Sequence, residues 1–245
     1  VSKLNNWVDE NTNHMIQGIL DKFKEEDVLC LINALAFEAK WAKQYSEYSI
    51  SENQDFTNAL GKKESVTMLN GDLQSYISGE NCEGFVQYYE GGEFGFMALL
   101  PKDGMTAAEL LESLNGSDLT KLYLNRKYEK TYTKIPEFSY DYDTSAVSAL
   151  KSMNVLKAFE ESADFSNMAE VNMGNLYISD VKHKTHIELD RNGTKAAAVT
   201  AVMVDTASAY MGTPHKVYLD RPFIYAIVES ASGLPVFAGV VNTVR

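Results

Sequence analysis

The sequence predicts an α+β fold with much antiparallel sheet. Three observations carry that reading. The chain opens on a stretch with helical apolar spacing; most of the remainder consists of strand-length runs that alternate or are continuously apolar; and glycine-bearing turns short enough for hairpins divide those runs. At 245 residues, 45% apolar and 23% charged, the chain can bury a substantial core as one large domain or two small ones, and its composition is not that of a disordered segment.

Taken in order, Leu4, Trp7, Val8, Met15, Ile16, Ile19 and Leu20 fall near one helical face between Ser2 and Phe23, with a break expected around Asn11-Thr12-Asn13. "DVLCLINALAFEAKW" is a continuous apolar run of strand length, which predicts a strand buried on both faces. "GKKESVTMLN", "NCEGFVQYYEGG" and "EFGFMALLPKDG" are three further strands in a hairpin-rich sheet. In "TAAELLESLN", Thr106 caps a helix and Glu109, three residues on, completes a capping box. "RKYEKTYTKIPEFSYDYD" alternates as strand, "TSAVSALKSMNV" reads as a short helix, and "GNLYISDVKHKTHIELD" alternates again. "PHKVYLDRPFIYAIVES" and "LPVFAGVVNTV" close the chain as two strands joined by the turn "SASG". No internal repeat or low-complexity linker marks a boundary, so residues 1–245 read as a single domain.

Charge and motif content exclude several functions. A formal net charge of -12 argues against a nucleic-acid backbone or an anionic membrane as partner and leaves a protein or a small neutral ligand. No apolar run reaches the length of a membrane span, and the opening residues do not form a signal peptide. The first residue is Val1 rather than Met, which suggests a start inside a longer product. Cys30 and Cys82 lack metal-ligand spacing and are too few for a disulfide scaffold; Cys30, within the apolar run, is expected to be a buried free thiol. Nucleotide, hydrolase and metalloprotease motifs are missing, so neither a cofactor nor a metal is expected, and the chain does not read as an enzyme. His183 and His186 are three apart, which in an alternating strand sends them to opposite faces, away from a shared ion.

One segment resists a single assignment. From Asp190 to Tyr210, "DRNGTKAAAVTAVMVDTASAY" begins with the turn signal Asn192-Gly193 and continues without glycine or proline. Ala196, Ala197 and Ala198 favour helix, while Val199, Thr200, Val202, Val204 and Thr206 favour strand. Alternate residues from Thr194 are Thr194, Ala196, Ala198, Thr200, Val202 and Val204, all small or β-branched. A strand with that face directed inward could slide between two existing strands without displacing the core beneath.

The string of segments resembles the serpins. "INALAFEAKW" is similar to the family's strand leading to a buried tryptophan, here Trp41, with Asn33 at the position of its central asparagine. "FGFMALLPKDG" resembles the family's "FLP" strand and turn. "IPEFSYDYDTSAVSALKSMNVLKAFEESADFSNM" is similar to the stretch "PKFxxxxxxxLxxxLxxLGxxxxFxxxADFSG". "VKHKTHIELDRNGTKAAAVTA" carries the histidine, hinge glycine and threonine, and run of small residues that precede the reactive loop, and "RPFIYAIVESASGLPVFAGVVNTV" resembles the closing strands.

The resemblance implies a partial serpin fold. It would have a large, mostly antiparallel central sheet, surrounding helices and, at residues 191–215, a hinge and reactive loop, the loop exposed or inserted. The family's N-terminal helices and strands would be supplied by a further segment, which a separate chain could provide. The resemblance also implies a suicide-substrate inhibitor of serine proteases, with the alternative of a non-inhibitory chaperone or carrier. The scissile bond would fall between Ala207 and Ser208, which suits an elastase-like or subtilisin-like protease. Gly193, Thr194, Ala196, Ala197, Ala198 and Thr200 would form the hinge, while Asn33, Trp41 and His183 would gate the sheet, Asn33 and His183 by a hydrogen bond beneath it. An extracellular or cell-surface setting is implied, with an intracellular one left open. Arg191 and Lys195 stand where the family usually has Glu, so its hinge salt bridge is not expected in the usual form.

Overall fold

The computed structural model describes residues 1–24, 27, 29–168, 175–194 and 212–244. The chain divides into two compact units, one of Val1–Phe37 with Tyr140–Ile187 and one of Glu38–Ser139 with Glu188–Arg245.

In the first unit, helix α1 (Ser2–Asn11) ends earlier than the apolar spacing predicts. Asn13 and His14 both take positive φ, so the chain reverses where the break is expected and does not resume as helix. The Asn5 side chain accepts from the Ile19 and Leu20 amides at 3.1 and 3.2 Å and donates to the Leu20 carbonyl at 2.8 Å, holding the returning segment along the helix. Val8, Ile16, Ile19 and Leu20 bury together there, against Ile32 and Ala34. Those two residues lie on β1 (Leu29–Ala36), which runs parallel to β9 (Ile178–Asp190) in register from Cys30–Asp180 to Ala36–His186. Strand β8 (Phe138–Ser145) also pairs with β9, and the short helix α4 (Val147–Ser152) comes after it.

Two expectations for the apolar run are corrected. It is interrupted at Phe37-Glu38 and continues only as β2 (Ala39–Lys40) in the second unit, and β1 is not buried on both faces: Leu31 is 43% exposed and Asn33 is exposed. Cys30 is accordingly half-buried, whereas Cys82 is buried; both are free thiols. Continuous apolarity reports that a strand can be covered on both sides, and among the described residues β1 has neighbours on one face and one edge only.

The second unit holds an eight-stranded sheet. Its order is β11 (His215–Tyr218), β7 (Lys127–Pro136), β4 (Lys63–Ser78), β5 (Cys82–Tyr88), β6 (Phe94–Pro101), β12 (Phe223–Glu229) and β13 (Pro235–Val241), with β3 (Ile50–Thr57) also paired to β4. Every pairing is antiparallel except β11 with β7. The predicted single strand "PHKVYLDRPFIYAIVES" is therefore two, β11 and β12, separated at the Asp220-Arg221-Pro222 corner, where proline removes a ladder donor. Likewise, "RKYEKTYTKIPEFSYDYD" divides at Glu137 into β7 and β8. Helix α2 (Ala107–Ser113) carries the expected Thr106–Glu109 capping box, and α3 (Gly116–Leu124) carries a second one from Asn115 and Asp118. Leu110 of α2 and Tyr123 of α3 pack on Met97, Leu99, Ala226 and Val228 of the sheet. The fold class is α+β, as predicted.

Candidate functional site at the hinge

The turn Asp190-Arg191-Asn192-Gly193 is built by one carboxylate. Oδ1 of Asp190 accepts from the amides of Asn192 and Gly193 at 2.7 and 3.1 Å, and its Oδ2 accepts from the Asn192 side chain at 3.0 Å. This is the local hydrogen bonding that makes Asp and Asn turn formers. The chain then enters β10 (Gly193–Thr194), which pairs antiparallel with Leu189 and Asp190 on one side and with Ala39 and Lys40 on the other. Gly193 has φ +151, and a Cβ there would lie 2.1 Å from the Ala39 carbonyl oxygen and 2.7 Å from the Lys40 Cα. Glycine is the residue that admits so close a backbone approach.

Thr194 is completely buried, and its hydroxyl lies 2.7 Å from the hydroxyl of Tyr89. Burial pushes the Tyr89 phenol well above its usual range, so it remains neutral. The Tyr89 ring stacks on Trp41 with centroids 4.6 Å apart and planes 7° apart, and Phe96 meets Trp41 edge-on at 6.0 Å. Trp41 itself is 2% exposed and bonds the turn twice: its amide donates to the Asn192 carbonyl at 3.0 Å and its indole N–H to the Asp190 carbonyl at 2.9 Å. One aromatic pair thus holds both the start of the turn and the first residue after it.

Arg191 does form an ion pair. Its amide and Nε reach Glu137 Oε1 at 3.2 and 3.3 Å. Arg191, which stands where the resemblance usually has Glu, is therefore paired here with a carboxylate, that of Glu137.

Asn33 and His183 lie in the first unit as direct register partners on β1 and β9, with Asn33 exposed and His183 half-buried. Among the described residues no side-chain hydrogen bond joins them. Trp41, Gly193 and Thr194 come together in the second unit. Ala196, Ala197, Ala198, Thr200, Ala207 and Ser208 lie outside the described residues. Tyr89, Asp190 and Glu137 contact residues 191–194 and were missed by sequence reasoning. The departure at Arg191 calls for an acidic partner and could have found Glu137, whereas no spacing rule connects Tyr89 to Thr194 across 105 residues.

Among the described residues no group of three or more His, Cys, Asp or Glu side chains could hold a metal ion, and no helix is long and apolar enough to cross a membrane.

The family model for serpins, described as serine protease inhibitors, matches residues 1–244. The chain is 30% identical over 250 residues to Iripin-8 of Ixodes ricinus, covering 99% of this chain and 61% of that protein. To intracellular coagulation inhibitor 2 of Tachypleus tridentatus it is 27% identical over 242 residues, covering 98% and 59%. The solved native state of the thermophilic serpin Tengpin matches with a TM-score of 0.92 at 40% identity over 99% of this chain and 62% of that one; its latent state matches at 0.81 and 32%, covering 100% and 65%. The chain spans about three-fifths of the length of these curated relatives.

Proposed function

The chain belongs to the serpin family, and from that premise we propose that it inhibits serine proteases as a suicide substrate. The protease's serine oxygen attacks the carbonyl carbon of Ala207, the bond to the Ser208 nitrogen breaks, and the new amine leaves with a proton. An ester then links the protease to Ala207. The freed segment enters the sheet as a strand and carries the protease with it before water completes hydrolysis.

The observation that supports this reading is the hinge. Gly193 and Thr194 already form a strand paired on both edges, and Thr194 faces inward with no exposed surface. Thr194 is also the first residue of the small and β-branched series that continues through Ala196, Ala198, Thr200, Val202 and Val204. Insertion would extend a strand that has begun, which avoids a separate nucleation step. A small residue before the bond suits an elastase-like or subtilisin-like pocket, and an extracellular or cell-surface setting belongs to the same reading.

The test is incubation of the full chain with elastase-, subtilisin-, chymotrypsin- and trypsin-like proteases, followed by denaturing electrophoresis. A complex that survives denaturant is expected with the first two. Ala207→Arg should transfer complex formation to the trypsin-like enzyme, whose pocket carries a carboxylate. Cleavage of the loop by every protease without any stable complex would overturn the proposal in favour of a non-inhibitory member.

A further inference from the structure

We propose that Tyr89 is a positioning residue for loop insertion: its buried hydroxyl anchors Thr194, the first inserted residue, and fixes the register in which the next residues enter. The inference deepens the inhibitory reading and rests on it for its biological meaning. Three features of Tyr89 carry it. Its backbone is fixed at the start of the turn after β5, where its amide donates to the Phe94 carbonyl at 3.0 Å. Its ring is clamped flat against Trp41, which is itself bonded to Asp190 and Asn192. Its hydroxyl meets Thr194 Oγ1 at 2.7 Å, with Thr194 fully buried and Tyr89 1% exposed.

In a strand whose side chains alternate with a period of two, a slip of one residue would turn Lys195, Met203 and Asp205 toward the core. The backbone ladder at Gly193 and Thr194 sets the register as long as it holds, but Gly193 has no side chain with which to lock it. Thr194 is the first position that can. A tyrosine fixed by its backbone and by stacking supplies a rigid partner, so the bond that ties down Thr194 also decides which later residues point inward. Without that bond the buried Thr194 hydroxyl lacks its partner, and the first pair of the new strand must form from a looser hinge.

The test uses four single variants of the full chain. Tyr89→Phe and Thr194→Val each remove one hydroxyl while keeping shape, Thr194→Ser keeps the hydroxyl, and Tyr123→Phe is the control. Tyr123 is also a buried tyrosine, 1% exposed, whose hydroxyl donates to the Ser230 carbonyl at 3.1 Å away from the hinge. Three quantities are measured: the rate of loop cleavage by subtilisin, the rate at which the nicked protein gains thermal stability, and the inhibitor consumed per protease trapped.

Tyr89→Phe and Thr194→Val should leave cleavage unchanged and slow the gain in stability about tenfold, equivalent to about 1.4 kcal/mol. Inhibitor wasted beyond one per protease should rise by the same factor. Thr194→Ser should behave as the parent, and the double variant Tyr89→Phe/Thr194→Val should be no slower than either single one. Tyr123→Phe should lower the melting temperature without slowing insertion. The proposal is overturned if Tyr89→Phe inserts at the parent rate, or if Tyr123→Phe slows insertion equally for an equal loss of melting temperature. A parent that gains no stability when nicked overturns both this proposal and the inhibitory reading. A parent that inserts but traps no protease overturns the inhibitory reading alone, and the rate comparison still decides the role of Tyr89.

Discussion

Gly193 and Arg191 show how much of the turn leading into β10 is decided by single residues. At Gly193 the constraint is steric: an added Cβ would press into the Ala39 carbonyl, and the backbone angle is one that other residues adopt at a cost. Gly193→Ala should therefore destabilise the intact chain by roughly 1–3 kcal/mol, read as a lower urea midpoint with an unchanged slope. A midpoint equal to that of the parent would mean that β10 does not form as described. At Arg191 the constraint is electrostatic and weaker, because Arg191 is 43% and Glu137 24% exposed in the pair. Arg191→Glu would set two carboxylates against each other and cost up to about 1 kcal/mol after screening by solvent. Arg191→Glu/Glu137→Arg should restore most of that loss. Failure of the exchange to recover stability would mean that the two positions contribute independently, without acting as a bridge.

At the scale of elements, β10 has two residues, and its second one tests the inserting face. Thr194→Arg would bury a guanidinium against the Tyr89 hydroxyl, a neutral partner, and an unpaired buried charge costs several kcal/mol. The variant should be cleaved at the normal rate yet leave little stable complex, whereas Lys195→Glu, on the opposite face by alternation, should change little. Efficient trapping by Thr194→Arg would show that Thr194 does not lead the inserting face. Elements of this kind are unevenly legible in the sequence. Alternation reveals β9, and the Thr106–Glu109 spacing reveals α2, because both signals are local. By contrast, α3 escapes notice although Asn115 and Asp118 repeat the capping pattern, since only a few residues separate it from α2. Strand β3 is hard to see because "ISENQDFT" is largely polar, as an edge strand paired among the described residues to β4 alone can be, with Phe56 its one fully buried residue. The helix drawn through Phe23 fails for a different reason. Ile16, Ile19 and Leu20 keep helical spacing but reach the same core by folding back along α1, so spacing identifies the buried residues and misjudges the backbone. The candidate site is legible where the resemblance carries it, at Trp41, Gly193 and Thr194, and illegible at Tyr89 and Asp190, whose partners are set by long-range packing or by turn geometry.

For the whole molecule, the quantity on which the proposed inhibition depends is the difference in stability between the intact and the cleaved chain. Strands β1 and β9 are direct parallel neighbours from Cys30–Asp180 to Ala36–His186, joined by a single ladder. A strand entering between them replaces that one ladder with two, and each added hydrogen bond contributes about 1 kcal/mol net. Burial of Val202 and Val204 contributes a further ~1.5–3 kcal/mol for each side chain. Ordering the loop opposes both terms at roughly 1–2 kcal/mol per residue, but much of that cost is avoided where the intact loop is already constrained at its two ends. Gly193 and Thr194 fix one end, and β11, paired to β7 from His215 onward, fixes the other. In the proposed mechanism, cleavage after Ala207 would release this second tether and let the segment enter the sheet as a strand. A net gain of about 5 kcal/mol would raise the melting temperature of a protein of this size by roughly 10–20 °C. Differential scanning calorimetry before and after limited subtilisin digestion measures it directly. The cleaved chain should melt well above the intact one, and the increase should disappear when the cut is made in Thr194→Arg. Equal melting temperatures for the intact and cleaved parent would remove the energy source on which trapping depends, whatever proteases the loop attracts.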